Sequence, residues 1–139
     1  MMNRTPYYDL AYIVDDDKTI TMMHSILMNR TGIAGTSVAF TNPEEALLQL
    51  EQDLRSQANV LILLDINMPE MSGFDFMDAA MELHTLGSTL DVFLVTSSID
   101  PADETRGLQH PLMRQYIHKP LKSSDLLVVI QEHGTLSMP

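Results

Sequence analysis

The chain of 139 residues contains no cysteine. Without thiols it can form neither a disulfide scaffold nor a metal site with sulfur ligands. With 45% hydrophobic residues, a chain of this length can bury a sizeable core without such cross-links. These properties predict one globular domain, residues 1–139, with a core over about residues 9–134. The expected location is the cytoplasm.

Long apolar runs are also missing. The longest run has five residues, whereas a membrane-spanning helix needs roughly 20. The segment from Met1 to Asp9 carries one arginine and no apolar core, so it does not resemble a signal peptide. We therefore expect no membrane association.

Basic residues are scarce. Eight Lys and Arg face 19 Asp and Glu, which gives a formal net charge of −11. Nonspecific nucleic-acid binding depends on Lys and Arg side chains that neutralise phosphates, so we expect no nucleic-acid partner. The acidity favours solubility and the steering of charged partners.

Five short apolar segments predict β-strands. They cover residues 10–14, 36–41, 59–64, 91–96 and 114–118. The third and fourth are almost continuously apolar, which is typical of parallel strands that are buried on both faces.

Helix signals alternate with these segments. Ile20, Met23 and Leu27 recur at helical spacing within residues 18–30. Asp17 is expected to cap this helix rather than to bind a metal. The other predicted helices begin at Asn42-Pro43, Ser72, Asp100-Pro101 and Ser123 or Ser124, and the last runs through Ile130. The fourth, over residues 101–110, contains Gly107 and is expected to be weak and mobile.

This alternation predicts an α/β fold with a five-stranded parallel sheet and helices on both faces. Right-handed crossovers leave few topologies, and the flavodoxin-like strand order 2-1-3-4-5 is the natural choice among them. In this order the first and third strands are neighbours, and a ligand site is expected where their carboxyl ends meet.

Polar residues follow four of the predicted strands, at the edge where parallel strands converge. They are Asp15 and Asp16, then Asp65, Thr96 and Lys119. Three carboxylates this close repel one another unless a cation relieves them. Mg²⁺ (or Mn²⁺) prefers such oxygen ligands. With Lys⁺ and the metal ion nearby, Asp65 stays ionised and can attack phosphorus to form an aspartyl phosphate.

These residues resemble the receiver domain of two-component response regulators, from Tyr12 to about Glu132. The matching segments are Val14-Asp15-Asp16, Leu64-Asp65-Ile66-Asn67-Met68-Pro69 with Gly73, Val95-Thr96-Ser97, and Lys119-Pro120.

The resemblance implies a role for each matching residue. Asp65 is the phosphoacceptor, Thr96 and Lys119 contact the phosphoryl group, and the Lys119–Pro120 bond is cis. Tyr116 is a switch that swings inward on activation. The residues implied for Mg²⁺ binding are Asp15, Asp16, Asp65 and the backbone carbonyl of Asn67; those lining the approach to the phosphoryl group are Asn67, Ser97 and Ser98.

The resemblance also implies partners. A histidine kinase or a histidine phosphotransfer protein phosphorylates such a domain, which catalyses only its own phosphoryl transfer and dephosphorylation. A downstream protein, not identified by the sequence, is expected on the face formed by helix 4, strand 5 and helix 5. The resemblance also allows two copies of the chain to form a homodimer on phosphorylation. With no output domain, the chain resembles a stand-alone, chemotaxis-regulator-like receiver.

Two alternatives stay open. Asp15-Asp16-Asp17-Lys18-Thr19 fits the nucleophile motif of a haloacid-dehalogenase-like phosphatase, with Asp15 as the nucleophile. After Lys119 that reading has only Asp125 and Glu132 as acidic residues, and it leaves Asp65 without a role. The second alternative is a degenerate receiver that only binds partners, which the full set of chemical residues opposes.

The methionines and histidines belong to none of these motifs. The 11 methionines are expected to fill the core. The five histidines share no spacing and are expected at the surface.

Overall fold

The computed structural model describes residues 6–84 and 87–129, which include a five-stranded parallel sheet in the order β2-β1-β3-β4-β5. The strands are β1 Tyr8–Val14, β2 Ala34–Phe40, β3 Val60–Leu64, β4 Leu90–Thr96 and β5 Met113–His118. The helices are α1 Lys18–Thr31, α2 Pro43–Arg55, α3 Gly73–Leu83 and α4 Pro101–Leu108; α5 begins at residue 123 and is described to residue 129. The predicted fold class and strand order are confirmed.

Two hydrophobic clusters cover the two faces of the sheet. Alternate residues of each strand point to opposite faces, so Ile62 belongs to the cluster with α2 and α3, and Leu61 to the cluster with α1 and α5. Every residue of β3 and β4 is buried, as their apolar sequences predict. Each fully buried Leu, Ile or Val side chain stabilises the fold by about 2 kcal/mol relative to its exposed state.

The register of the strands aligns their carboxyl ends. Val14 of β1 lies opposite Phe40 of β2 and Leu64 of β3, and Leu64 in turn lies opposite Leu94 of β4. The backbone N–H of Asp65 donates to the carbonyl oxygen of Val14 at 3.0 Å. The residues that follow these strands therefore meet at one edge of the sheet.

Most helix starts follow the predicted caps. Asp17 accepts hydrogen bonds from the backbone N–H groups of Thr19 and Ile20, and Asn42, Ser72 and Asp100 cap α2, α3 and α4 in the same way. The cap predicted for the last helix is wrong. Because α5 already begins at residue 123, its start is stabilised instead by Asp125, whose side chain accepts from the N–H of Lys122 at 2.8 Å. Ile130, Glu132 and the predicted core boundary at 134 lie outside the described residues.

Helix α1 buries a different stripe from the apolar one that its sequence displays. Its buried residues are Thr21, His24 and Met28, while Met23 is 51% exposed. Thr21 tolerates burial because its hydroxyl donates to the carbonyl of Lys18 at 2.8 Å. The prediction that all histidines lie at the surface is wrong for His24, which is 5% exposed.

The methionines divide between core and surface. Met28, Met68 and Met77 are buried, as predicted, whereas Met22 and Met23 of α1 are exposed. The expectation of core methionines therefore holds for only some of them. No helix within residues 6–84 and 87–129 is long and apolar enough to cross a membrane.

A polar cluster links three strands at the amino-terminal edge of the sheet, with Tyr8 and Asp91 buried and Arg114 exposed. The hydroxyl of Tyr8 in β1 donates to Asp91 of β4 at 2.6 Å, and Arg114 of β5 lies 3.6 Å from the same carboxylate oxygen. Hydrogen bonding and the opposite charge offset the desolvation of Asp91.

Gly73 closes the loop between β3 and α3 against the backbone of Asp65. Its N–H donates to the carbonyl of Ile66 at 2.8 Å. A Cβ atom at this position would lie 2.6 Å from the carbonyl oxygen of Asp65 and 3.0 Å from the Cα atom of Ile66. A side chain here therefore requires the Asp65 backbone to move.

We expect Gly73→Ala to lower the free energy of unfolding by about 2 kcal/mol, because the added methyl group meets backbone rather than a movable side chain. Urea unfolding measures this change. Gly35→Ala is the comparison variant, since its Cβ would lie 3.1 Å from the backbone oxygen of Asp9, a tight contact that a shift of a few tenths of an ångström relieves, and it should cost about 1 kcal/mol or less. Equal costs in the two variants would contradict the steric account of Gly73.

Candidate functional site

Three carboxylates converge at the carboxyl edge of the sheet. Asp15 and Asp16 follow β1, Asp65 follows β3, and one oxygen from each lies within 4.8 Å of the others. Asp15 and Asp65 are buried, whereas Asp16 is exposed. The structure thus brings together the three acidic side chains that the sequence places at a metal site.

Asp15 is held by two hydrogen bonds. The backbone N–H of Asp17 donates to its Oδ1 at 2.9 Å, and the ammonium of Lys119 donates to its Oδ2 at 2.8 Å. Asp17 itself turns to the start of α1, so the prediction that it is a helix cap is confirmed.

Asp65 lies in an environment that disfavours its charge. Burial raises the pKa of its carboxyl group above the ordinary value, and the charges of Asp15 and Asp16 raise it further. Two groups act in the other direction: Lys119, and the N–H of Ile66, which donates to Asp65 Oδ1 at 2.9 Å. A cation at this position would relieve the remaining repulsion.

Lys119 is the cation that the chain itself supplies. Its Nζ lies 2.8 Å from Asp15 and 3.6 Å from Asp65. Burial alone would lower the pKa of Lys119, but hydrogen bonds and opposite charges from Asp15 and Asp65 raise it above the ordinary value. Its backbone N–H donates to the carbonyl of Thr96 at 2.9 Å, which joins the ends of β4 and β5. The Lys119–Pro120 bond is cis, as predicted.

Thr96 is fully buried at the end of β4. Its hydroxyl oxygen accepts from the N–H of Ser98 at 3.1 Å. The hydroxyl of Ser98 donates in turn to Asp103 of α4 at 2.6 Å. Ser98, predicted to line the approach to Asp65, therefore has its hydroxyl engaged by α4.

Ser97 and Asn67 are exposed on the loops that follow β4 and β3. Both loops leave the carboxyl edge of the sheet next to Asp65, so these two residues lie on its solvent side. The roles predicted for them stay predictions.

Tyr116 of β5 is half-buried against α4. A Cβ atom added at Gly107 would lie 3.2 Å from its ring and 2.8 Å from Leu94, so the glycine allows close packing of α4 on β4 and β5. Among the described residues the buried Tyr116 hydroxyl makes no hydrogen bond of regular geometry, and the side chain that interacts with it is Ser98, which acts to lower its pKa. Burial, followed by the negative charges of Asp103 and Glu104, raises the pKa of Tyr116.

His24 is the residue near the site that sequence patterns missed. Burial lowers the pKa of its imidazole, and the charges of Asp15 and Lys119 act on it in opposite directions. With Lys119 and Pro120 it lines a shallow pocket beside α1 of about 290 Å³. In the sequence, the stripe formed by Thr21, His24 and Met28 is less apolar than the competing stripe at Ile20, Met23 and Leu27, so apolar spacing selects the wrong side of the helix.

The chemistry of the three carboxylates fits a hard divalent cation. They offer only oxygen ligands, as Mg²⁺ or Mn²⁺ requires, and their mutual repulsion favours an added positive charge. The exposed Asp16 leaves one side of the cluster open to water and to substrate oxygens.

The geometry does not support the phosphatase alternative. That mechanism needs an acidic group beyond Lys119 to hold its metal. Within the described residues beyond Lys119 the acidic side chain is Asp125, and it binds the N–H of Lys122 at the start of α5. Asp65, which that alternative leaves without a role, lies in the carboxylate cluster.

Comparison with known families and proteins matches residues 11–131 to the response regulator receiver domain. An uncharacterised 14.6 kDa protein from the sodA1 3′ region of Leptolyngbya boryana is 27% identical over 125 residues, which cover 90% of this chain and 88% of that protein. The two-component response regulator ORR1 of Oryza sativa subsp. japonica is 27% identical over 118 residues, which cover 82% of this chain. The match spans 50% of the rice protein's length.

Solved structures show the same fold. A two-component response regulator from Cytophaga hutchinsonii superposes with a TM-score of 0.75 at 23% identity, covering 92% of this chain and 98% of that one. Vibrio cholerae chemotaxis protein CheY4 gives a TM-score of 0.68 at 24% identity, covering 90% and 98%. With the family match over residues 11–131 and the converging acidic site, the chain belongs to the response regulator receiver domain family of two-component signalling.

Proposed function

We propose that this receiver domain accepts a phosphoryl group on Asp65 and thereby changes its affinity for a downstream protein. The observation that carries the proposal is the convergence of Asp65 with Asp15, Asp16 and Lys119 at one edge of the sheet. The donor is a histidine kinase or a histidine phosphotransfer protein, the partners that membership of the receiver family implies.

In the proposed transfer, a carboxylate oxygen of Asp65 attacks the phosphorus of a phosphohistidine. The new bond joins this oxygen to phosphorus, and the phosphorus–nitrogen bond to the donor breaks. The bonding electron pair leaves with the imidazole nitrogen of the donor. The product is an aspartyl phosphate, and the chain supplies positioning and charge neutralisation rather than a general base. Hydrolysis of this aspartyl phosphate is the domain's own reaction, so the domain does not act as an enzyme on an external substrate.

Asp15, Asp16, Asp65 and the backbone carbonyl of Asn67 would hold Mg²⁺, or Mn²⁺ in its place. The bound cation supplies neutralisation of the charge on the transferred phosphoryl oxygens. Asp15 keeps its orientation through its bonds to Asp17 and Lys119, and Asp65 through its bond from Ile66.

Lys119 and Thr96 are the side chains proposed to meet the phosphoryl group. Lys119 already lies 3.6 Å from Asp65, and a flexible stem lets its ammonium follow the new charge. The Thr96 hydroxyl acts as an acceptor in its contact with Ser98, so its proton is the group that can donate to a phosphoryl oxygen. Asn67 and Ser97, exposed and small or polar, leave water access to the product.

The contacts of Thr96 suggest how the signal reaches the surface. To turn toward a phosphoryl group, Thr96 gives up the hydrogen bond from Ser98, and Ser98 is bound to Asp103 at the start of α4. Tyr116 packs on the same helix at Gly107, and the Ser98 side chain acts on its buried hydroxyl, so a movement of Ser98 also changes the surroundings of Tyr116. We infer a shift between two populated states of α4 and Tyr116.

The downstream protein is proposed to recognise the face formed by α4, β5 and α5. Tyr116, His118 and Val128 line a pocket on this face, next to the helix that the Thr96 contacts reach. Pairing of two copies after phosphorylation is a further proposal for the same face. The strong negative charge opposes a nucleic-acid partner for this domain.

Asp65→Asn should abolish covalent phosphorylation by acetyl phosphate with Mg²⁺, because the amide cannot attack phosphorus. Intact-protein mass spectrometry measures the added phosphoryl group. Asp17→Asn is the matched control and should be phosphorylated like the wild type, since Asn preserves the helix cap and Asp17 does not face the cluster. Undiminished phosphorylation of the Asp65→Asn variant would rule out this acceptor.

Mg²⁺ should stabilise the protein by about 2.7 kcal/mol at a concentration about 100 times its dissociation constant, since it binds only the folded carboxylate cluster. Thermal unfolding with and without a chelator measures the effect. Asp16→Asn should remove most of it with little change in the metal-free protein, because Asp16 is exposed. Asp17→Asn should retain it, and an equal rise of the midpoint in Asp16→Asn would argue against the proposed ligands.

Ser98→Ala should increase amide exchange at the start of α4 about tenfold in the unphosphorylated protein, because it removes a hydrogen bond to a carboxylate worth about 1.5 kcal/mol. Phosphorylation should then add less exchange there than in the wild type. Hydrogen–deuterium exchange measures both quantities. Ser97→Ala, at the exposed neighbouring position, should behave as the wild type, and identical exchange in all three proteins would disprove the coupling.

A further inference from the structure

A second surface feature lies away from the phosphorylation site, between α2 and α3. It is a groove of about 430 Å³. The residues lining it are Glu44, Leu47, Leu48, Glu51, Met71, Ala79, Glu82 and Leu83. Its floor and walls are mainly apolar, and its rim is acidic.

On α2 the groove lies beside the core face of the helix: Leu47 is partly buried against the core, whereas Leu48 is exposed. The core side of this helix is formed by Ala46, Leu50 and Leu54, which are fully buried. Leu47 and Leu48 lie between Glu44 and Glu51 on another side, and Leu48 is 68% exposed. The two leucines occupy the i+3 and i+4 positions of a strip whose i and i+7 positions are Glu44 and Glu51, so this side of α2 offers an apolar centre with acidic ends to a further helix.

On α3 the opposite wall has the matching spacing. Ala79 and Leu83 are one helical turn apart, with Glu82 beside them. The small side chain of Ala79 allows a third helix to approach closely. With 13 and 11 residues, α2 and α3 offer a seam of about 16 to 20 Å.

The charges on the rim of the groove indicate which kind of partner can bind there. Glu51 is paired with Arg55 at 2.8 Å. Within the part of the chain that the structure describes, no basic group lies within 4.0 Å of Glu44 or Glu82. Two carboxylates without an ion-pair partner beside an apolar seam, in a chain of net charge −11, favour Lys or Arg on the partner.

We propose that the groove between α2 and α3 binds one amphipathic helix of another protein. This helix presents apolar side chains at i, i+3, i+4 and i+7 to Leu47, Leu48 and Ala79, and places Lys or Arg beside Glu44 and Glu82. Met71, which belongs to the same loop as Asn67, forms part of the groove wall. The binding surface thus extends to the segment that follows Asp65.

A second copy of the chain is the less favourable occupant. Helix α1 exposes Met22 and Ile26 between Lys18 and Arg30, and so has suitable chemistry. Its insertion into the groove of a neighbour would be a head-to-tail contact, which forms open filaments unless the rotation closes a ring. It would also bring two chains of net charge −11 together.

The test is a displayed library of 14-residue peptides, randomised at every position and selected on the full-length wild-type protein. Peptides that also bind Leu48→Glu are removed. The surviving sequences should share apolar residues at i, i+3, i+4 and i+7 and carry Lys or Arg at their flanks. No enrichment over the Leu48→Glu background, or a consensus that is acidic or has no helical period, would overturn the proposal.

Synthetic peptides from this selection then locate the site. Their dissociation constants should rise at least tenfold with Leu48→Glu and about threefold with Glu44→Gln, the value of an exposed ion pair. Glu45→Gln is the matched control, because Glu45 lies in the same first turn of α2 outside the groove. It should change binding less than twofold, as should Met22→Glu on α1.

Two results would decide against a separate partner helix. Equal losses with Glu44→Gln and Glu45→Gln would show general attraction to an acidic protein. Self-association of the peptide-free chain in sedimentation, abolished by either Leu48→Glu or Met22→Glu, would assign the groove to a second copy.

Discussion

The site depends on the adjacency of β1 and β3. The hydrogen bond from the Asp65 N–H to the carbonyl of Val14 joins the ends of these two strands. A parallel sheet that places β3 next to β1 brings two acidic strand ends to neighbouring positions. The strand register fixes this arrangement, so it does not depend on the conformation of a loop. The carboxylates are therefore preorganised by the most deeply buried part of the fold.

This arrangement has an electrostatic cost that the chain offsets only in part. Asp15 and Asp65 are buried close together, and Lys119 is the ammonium group that bridges them. Burying carboxylates destabilises a fold unless opposite charges and hydrogen bonds compensate. The raised pKa of Asp65 shows that compensation is incomplete. The same imbalance makes the cluster receptive to added positive charge, so a local loss of stability and the capacity to bind a cation have one cause.

The sequence predicts those features that depend on order along the chain. Strand alternation, the caps at Asp17 and Asn42, and the polar residues at strand ends follow from short patterns. The sequence does not predict the burial of His24, because the rotation of α1 about its axis is set by packing on the sheet. Nor does it predict the contact from Ser98 to Asp103, since the adjacent Ser97 carries the same side chain. The rotation of α1 is set by contacts between elements that are distant in sequence, whereas the choice between the two serines is set by the path of the loop before α4.

The strand order also places the carboxylates on central strands of the sheet and the lysine on an edge strand. The carboxylates follow β1 and β3, which have strand neighbours on both sides, whereas Lys119 follows β5, a border strand paired only with β4. Border strands open locally at lower free energy than central ones. A transient detachment of β5 would withdraw the ammonium group and leave the carboxylate cluster assembled. We therefore expect the two halves of the site to differ in how long they persist, with the ammonium group the first to leave.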